Sequence, residues 1–260
     1  MAQVLNASPS RRLTDAQVRA YRASGWVRAA GFFSADEAAE LANWTDDLRA
    51  RPEVPGEQMV YYEPDFRSPD ARIVQRIEFF CDYHPRFNAL VQGDLQAAVA
   101  DLLGEPAVLF KEKVNFKLPG GAGFEPHQDQ QAGWSAYAPL FVTALVSVDA
   151  ATLANGCLEM AHGPRASTLI GAEWEPLTTE EMRGLDLRAV PTAPGDVLFF
   201  DSYAPHASKR NETQEARRIL YLTYNRAADG DHRNRYFTDK RASFPPDIER
   251  APGRDYRFRV

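Results

Sequence analysis

Val108-Leu109-Phe110-Lys111-Glu112-Lys113-Val114-Asn115-Phe116-Lys117-Leu118 is the stretch on which the fold turns. Lys111, Lys113, Asn115 and Lys117 alternate with Phe110, Glu112, Val114 and Phe116. Successive side chains of a strand point to opposite faces, so the first set shares one face of a β-strand and the second set the other. A helix would scatter both sets around its circumference. Two placements of the polar face stay open. Turned into a barrel, it would let Asn115 meet a ligand and a lysine attract an anion; turned outward, it would be a solvated strand face, because buried lysines are costly unless paired.

Downstream the texture is the same: short apolar runs at Leu140–Val148, Cys157–Met160, Val197–Phe200 and Ile219–Asn225, broken by turn residues. Asn155-Gly156 and Pro194-Gly195-Asp196 are tight-turn signals between such runs. Many short strands with turns between them predict a β-sandwich or barrel. Upstream the signals are helical. Thr14 with Gln17, and Ser34 with Glu37, are capping signatures ahead of apolar positions, and a helix over 88–103 should end at Gly104. Between Arg51 and Ser68, Pro52, Pro55, Gly56 and Pro64 around Tyr61-Tyr62 read as an irregular segment walling a site. The expectation is one domain over 1–260, mainly β with flanking helices (α+β): a helical front segment over 13–105, a β core over 106–225 and an irregular C-terminal wrap over 226–260.

Composition narrows the function. A chain of 260 residues that is 44% apolar can bury a sizeable core. Its net charge of −6 gives no basic excess for phosphate backbones, so a small-molecule substrate is expected and a nucleic-acid partner is not. Met1–Arg12 is polar and lacks the apolar run of a signal peptide or membrane span, which points to a cytoplasmic protein with no membrane partner. Cys81 and Cys157 have no paired spacing and read as buried thiols. The oligomeric state is left open.

Among five histidines, His127 and His206 stand apart. On an extended backbone His127 and Asp129 point to the same side, and a histidine from a distant strand, His206, would complete one face of a metal site. Two His and one carboxylate leave three adjacent octahedral positions open, the arrangement of non-haem iron(II) oxygenases, which need room for a bidentate 2-oxoacid and dioxygen. Glu125 is a rival carboxylate on the same face. Arg217 follows His206 by eleven residues and opens the run Ile219–Leu222; its planar fork suits the distal carboxylate of 2-oxoglutarate.

Taken together, Lys117-Leu118-Pro119-Gly120-Gly121 leading to His127-Gln128-Asp129, then Asn155-Gly156-Cys157-Leu158-Glu159, Pro194 to Phe200, and His206 through Arg217, resemble the phytanoyl-CoA dioxygenase family. The resemblance runs from about Leu13 to Asn225, since Gly25-Trp26-Val27 and Gly31-Phe32-Phe33-Ser34 match the family's opening. It implies a double-stranded β-helix (a cupin-like jelly roll), iron(II), 2-oxoglutarate as co-substrate and O2. It further implies that Ser208 assists the co-substrate carboxylate and that Arg76, where relatives often have lysine, reaches co-substrate or substrate. The chain departs from the family at Ala161-His162-Gly163-Pro164, which makes His162 a structural or rim residue. Halogenating relatives lack the carboxylate that Asp129 supplies here, so hydroxylation is expected, with succinate and CO2 formed.

Family members act on acyl thioesters, amino-acid derivatives, phosphonates and secondary metabolites. Arg76 and the lysine face favour a small polar, anionic substrate; an acyl-CoA or a secondary metabolite is the alternative within the family. Lys113, Gln128, Trp134 and Tyr61 are the candidates for facing it, with Tyr137 beside Trp134. The reading from another class is a non-catalytic jelly-roll binding protein.

Overall fold

The computed structural model describes residues 13–256; Met1–Arg12, read above for targeting, lies outside the described residues. Thr14 and Ser34 each cap a helix as their sequence context predicts: α1 (Asp15–Ser24) and α2 (Ala35–Ala50), with β1 (Trp26–Ala29) between them. In both, the hydroxyl accepts the backbone N–H three residues on, and Gln17 or Glu37 returns the bond to the cap backbone.

The next stretch departs from expectation. The segment read as irregular contributes β2 (Met59–Asp65), which pairs with β3 (Ser68–Glu78) in a hairpin. Proline is tolerated here because β2 is an edge strand, and Pro64 sits near its end, beside a register irregularity. The front segment is therefore helical and stranded. The helix expected over 88–103 is two, α3 (Pro85–Val91) and α4 (Asp94–Leu103), broken at Gly93, which has no side chain to favour the helical state. Gly104 ends α4 in the left-handed conformation with φ of 76°.

The barrel follows: β4 (Ala107–Lys117), β5 (Phe124–His127), β6 (Phe141–Ser147), β7 (Leu158–His162), β8 (Asp186–Ala189), β9 (Val197–Asp201), β10 (His206–Ser208) and β11 (Arg217–Arg226). Two antiparallel sheets result, ordered β1-β9-β6-β11-β4-β3-β2 and β5-β10-β7-β8. Successive strands from β4 onward alternate between the sheets apart from the β7–β8 hairpin, which is the winding of a double-stranded β-helix. The short strands β5, β8 and β10 carried too few residues for a periodic signal. The wrap also holds a helix, α5 (Arg233–Ser243), with Tyr236 and Phe237 buried.

Burial explains the sequence texture. Every residue of β6 is buried, because the larger sheet is covered on both faces, so its strands read as apolar runs. One face, with Val114, Phe116, Val146, Phe199 and Leu222, packs under α1, α2 and α4. The opposite face, with Leu145, Leu198, Phe200 and Ile219, meets Leu158 and Met160 of the smaller sheet. Each such fully buried side chain contributes about 1.5–3 kcal/mol of transfer free energy. Lys111, Asn115 and Lys117 are buried on the inner face, so the polar stripe of β4 is turned into the barrel. Glu112 on the other face is buried against Arg233. Cys81 and Cys157 are free and buried. No helix among the described residues is long and apolar enough to cross a membrane.

Candidate active site

Register brings the histidines together. In the β5–β10 pair His206 stands opposite His127, and their ring centroids are 4.3 Å apart. Gln128 is extended (φ −110°, ψ 133°), so Asp129 returns to the side of His127. The Asp129 carboxylate lies 3.8 Å from His127 Nε2 and 3.9 Å from His206 Nε2, and one ligand atom from each residue falls within 4.8 Å of the others. The Nδ1 atoms face carbonyls, His127 toward Glu125 O at 2.7 Å and His206 toward Ala204 O at 2.9 Å. A proton on Nδ1 satisfies those carbonyls and leaves the Nε2 lone pairs converging on one point. Burial, then the His206 charge, pushes His127 down to about 4, which keeps its imidazole neutral. Burial raises the Asp129 carboxyl, but His206, His127 and Lys113 outweigh it and hold it below its usual range. A neutral imidazole and an ionised carboxylate are the states a divalent cation requires. Glu125, the rival carboxylate, is exposed and outside this group.

At one end of the inner face a second cluster forms. Arg217 pairs with Lys117 across β11 and β4, and both donate to Gly156 O, Arg217 Nη1 at 2.7 Å and Lys117 Nζ at 3.4 Å. Lys117 also donates to Ser208 Oγ at 2.8 Å, so Arg217 and Lys117 converge on one carbonyl and Lys117 ties Ser208 to them. Gly156 has φ of +73°, and a Cβ there would lie 2.1 Å from Lys209 O, so only glycine fits this turn. Arg217 is fully buried, yet its Nε and Nη2 have no hydrogen-bond partner among the described residues. Burial pushes the guanidinium pKa down, offset in part by Tyr221. A buried guanidinium with idle donors and no ion-paired carboxylate fits the anionic end of a 2-oxoacid. Asn115, two residues from Lys117 on the same face, is buried with an idle Oδ1.

A cavity of about 780 Å³ opens over the metal group. His127, Asp129, Lys111, Lys113, Trp134 and Trp174 all line it. Burial, then the neighbouring Lys111 charge, pushes Lys113 down to about 8. Trp174 has φ of 69°, and its ring occupies the space a Cβ on Gly133 would fill. The stretch carrying it hangs on two buried amides. Gln128 Nε2 donates to Thr168 O and Tyr203 O and its Oε1 accepts from Ile170 N, while Gln131 Nε2 donates to Ala172 O and Glu175 O.

Of the sequence candidates, His127, Asp129 and His206 are brought together, as are Arg217 and Ser208, with Asn115 near them; Lys113 and Trp134 line the cavity. Gln128 holds the overlying segment with its whole amide and does not line the cavity. Tyr61 is buried, donates to Phe244 O at 2.9 Å and stacks on Phe244, which does line it. Arg76, opposite Asn115 on β3, donates to Glu78 at 2.6 Å and lies 4.3 Å over the Tyr61 ring. His162 is exposed, packs its ring edge-on against Trp26 and does not line the cavity. The sequence reading missed the contribution of α5, whose Tyr236, Asp239, Lys240 and Ser243 all line the cavity. Their spacing, one helix face, was the available signal.

Comparison with known proteins places this geometry. The family model "Phytanoyl-CoA dioxygenase (PhyH)" matches residues 21–219. A 2-aminoethylphosphonate dioxygenase from an uncultured bacterium (HF130_AEPn_1) is 40% identical over 245 residues, 94% of this chain and 93% of the relative. A methylphosphonate hydroxylase from Gimesia maris is 38% identical over 234 residues, 89% of this chain and 88% of the relative. In fold, EctD from S. alaskensis with bound Fe superposes with a TM-score of 0.70 at 23% identity, over 88% of this chain and 81% of that one. By its sequence match over most of its length, this chain belongs to the phytanoyl-CoA dioxygenase family.

Proposed function

We propose that this protein is an iron(II)- and 2-oxoglutarate-dependent dioxygenase that hydroxylates a C–H bond of a small phosphonate. The observation that carries the reading is the coexistence, inside one barrel, of the His127–Asp129–His206 group and a buried Arg217 with idle donors. His127 and His206 would hold the metal through Nε2 and Asp129 through its carboxylate, leaving adjacent positions for co-substrate and O2. Three protein ligands, one short of the usual structural zinc set, argue for a reactive site over a structural one. Iron and 2-oxoglutarate, when bound, supply the oxidising chemistry, with succinate and CO2 as the co-substrate's products.

The chain supplies placement. Arg217, with Lys117 and Ser208 beside it, would grip the distal carboxylate and so fix how far the other end of the co-substrate reaches toward the histidines. Trp134 and Trp174 would keep water from the reacting centre. Relatives named for phosphonates support the substrate class, and a cavity of about 780 Å³ based on charged groups favours a small polar molecule over an acyl chain.

The test is succinate formation by anaerobically purified protein given iron(II), 2-oxoglutarate, O2 and, separately, 2-aminoethylphosphonate, methylphosphonate, amino acids and acyl thioesters, with His127→Ala as control. Succinate that rises with a phosphonate and disappears in the variant is the expected result. Succinate with no phosphonate, or equal succinate from His127→Ala, would sink the reading.

A further inference from the structure

Metal and co-substrate account for the histidines, Asp129 and Arg217, and leave Lys111 and Lys113 unexplained. β4 places both on the inner face, where they line the cavity. Neither ammonium pairs with a carboxylate among the described residues. Lys111 Nζ donates to the Tyr236 hydroxyl at 3.0 Å and otherwise faces the rings of Trp134 at 4.9 Å and Tyr236 at 5.0 Å. Lys113 Nζ makes no hydrogen bond among the described residues and faces the rings of Tyr221 at 4.7 Å and Phe124 at 6.0 Å. The nearby carboxylates are committed elsewhere. Glu112 points to the opposite face and accepts from Arg233, Glu78 accepts from Lys240 and Arg76, and Asp129 belongs to the metal group.

Two neighbouring ammonium groups repel each other, and burying them without an anion costs free energy that aromatic faces only partly offset. A ligand with one negative charge answers one of them. A phosphonate, with up to two negative charges spread over three oxygens, answers both through charge-assisted hydrogen bonds. We propose that Lys111 and Lys113 together form the seat for the substrate's phosphonate head group and set the preference for phosphonate over carboxylate. This inference rests on the oxygenase reading above and adds to it the residues that choose the substrate. Tyr236 acts as a positioning residue: its hydroxyl fixes Lys111 and ties the seat to α5.

The experiment compares 2-aminoethylphosphonate with its carboxylate counterpart, 3-aminopropanoate, in the wild type, Lys111→Met, Lys113→Met and Lys113→Arg. Anaerobic protein is loaded with iron(II) and 2-oxoglutarate, the charge-transfer absorption of that complex reports an intact site, and perturbation of the band by each ligand gives its affinity. Both Met variants should keep the band yet bind the phosphonate about thirtyfold or more weakly, the expected loss for one partner of a buried charge pair. The carboxylate should change far less, so the preference collapses, and Lys113→Arg should restore part of it. If Lys111→Met loses the band, Lys113→Met decides, because Lys113 makes no hydrogen bond among the described residues whose loss would disturb the fold. Phosphonate affinity within threefold of wild type in Lys113→Met, or equal losses for both ligands, would overturn the seat; so would a wild type that prefers the carboxylate. A wild type that forms no band and no succinate with any phosphonate would instead overturn the oxygenase reading.

Discussion

Replacing Arg217 by Met should have opposite effects on the empty and the loaded protein. In the empty protein Arg217 is fully buried, donates from Nη1 to Gly156 O at 2.7 Å and has the Tyr221 hydroxyl beside it, while Nε and Nη2 have no hydrogen-bond partner among the described residues. Losing that bond costs about 1–2 kcal/mol, and removing a desolvated cation without an ion-pair partner returns as much or more. The ligand-free variant should therefore unfold at the wild-type Tm or above it. Loaded with 2-oxoglutarate, the wild type gains a bidentate, buried carboxylate contact that the variant cannot make. The cost of truncating such a pair is about 2–5 kcal/mol, so Kd should rise roughly thirtyfold to several thousandfold. Thermal unfolding with and without 2-oxoglutarate at about one hundred times the wild-type Kd reads both sides. The wild type should gain about 2.7 kcal/mol from the ligand and the variant less than about 1 kcal/mol. A variant that binds 2-oxoglutarate within threefold of wild type would show that Arg217 is not the grip. One that is strongly destabilised when empty would show that the guanidinium is structural.

Gly156→Ala should disturb the same cluster through the backbone: with φ of +73° and a Cβ 2.1 Å from Lys209 O, the turn must shift, moving the carbonyl that Arg217 and Lys117 share. A stability loss of about 1–3 kcal/mol in denaturant unfolding, with weakened 2-oxoglutarate binding, is expected, and unchanged values would show that the turn tolerates a side chain. Lys117 carries a pH signature. Burial, then the Arg217 charge, pushes its pKa from the ordinary 10.5 down to about 6. Between those values the unfolded chain holds a proton that the folded one does not, so this group's contribution to stability rises with pH across that window. An arriving carboxylate should draw the proton back, so binding at pH 7 takes up a proton; calorimetric heats that do not vary with buffer ionisation enthalpy would refute it. Glu78→Gln should cost about 3–5 kcal/mol, because it takes from the buried Lys240 ammonium the carboxylate it donates to. Burial raises the Glu78 carboxyl, but Lys240, Arg76 and Lys111 outweigh it and hold it well below its usual value. Its contribution is thus full above the unfolded carboxyl value and is lost as pH falls below it; an acid transition unmoved in the variant would contradict this.

What the sequence disclosed follows from which contacts are local. The capping boxes at Thr14 and Ser34 close within three residues, and a strand long enough to alternate, such as β4, writes its period into the chain. His127 and Asp129 were legible because an extended backbone sets their directions, and His206 because so few histidines were available. Other features depend on distant partners. β2 is stranded because β3 pairs with it, although its prolines speak for a loop, and β10 is three residues long, held by β5 and β7. Gln128, beside the ligands in sequence, spends its amide on Thr168, Tyr203 and Ile170, partners that spacing cannot reveal. Tyr236 and Lys240 reach the cavity only because α5 packs back over β4.

The inner faces of β4 and β11 explain why metal, co-substrate and substrate belong to one system. Lys111, Lys113, Lys117 and Arg217 share the inner face, and Asp129 is the carboxylate of the metal group beside Lys111 and Lys113. With a divalent iron added and Lys117 protonated, these groups would carry five positive charges in excess, which a low-dielectric interior does not tolerate. Binding 2-oxoglutarate and then a phosphonate, two negative charges apiece, would reduce the excess to one, the charge that Lys117 sheds or keeps according to pH. On this argument the two anions bind cooperatively, each relieving repulsion felt by the groups that hold the other. The Kd for a phosphonate should therefore fall when 2-oxoglutarate is present, and the Kd for 2-oxoglutarate should fall by the same factor when the phosphonate is present.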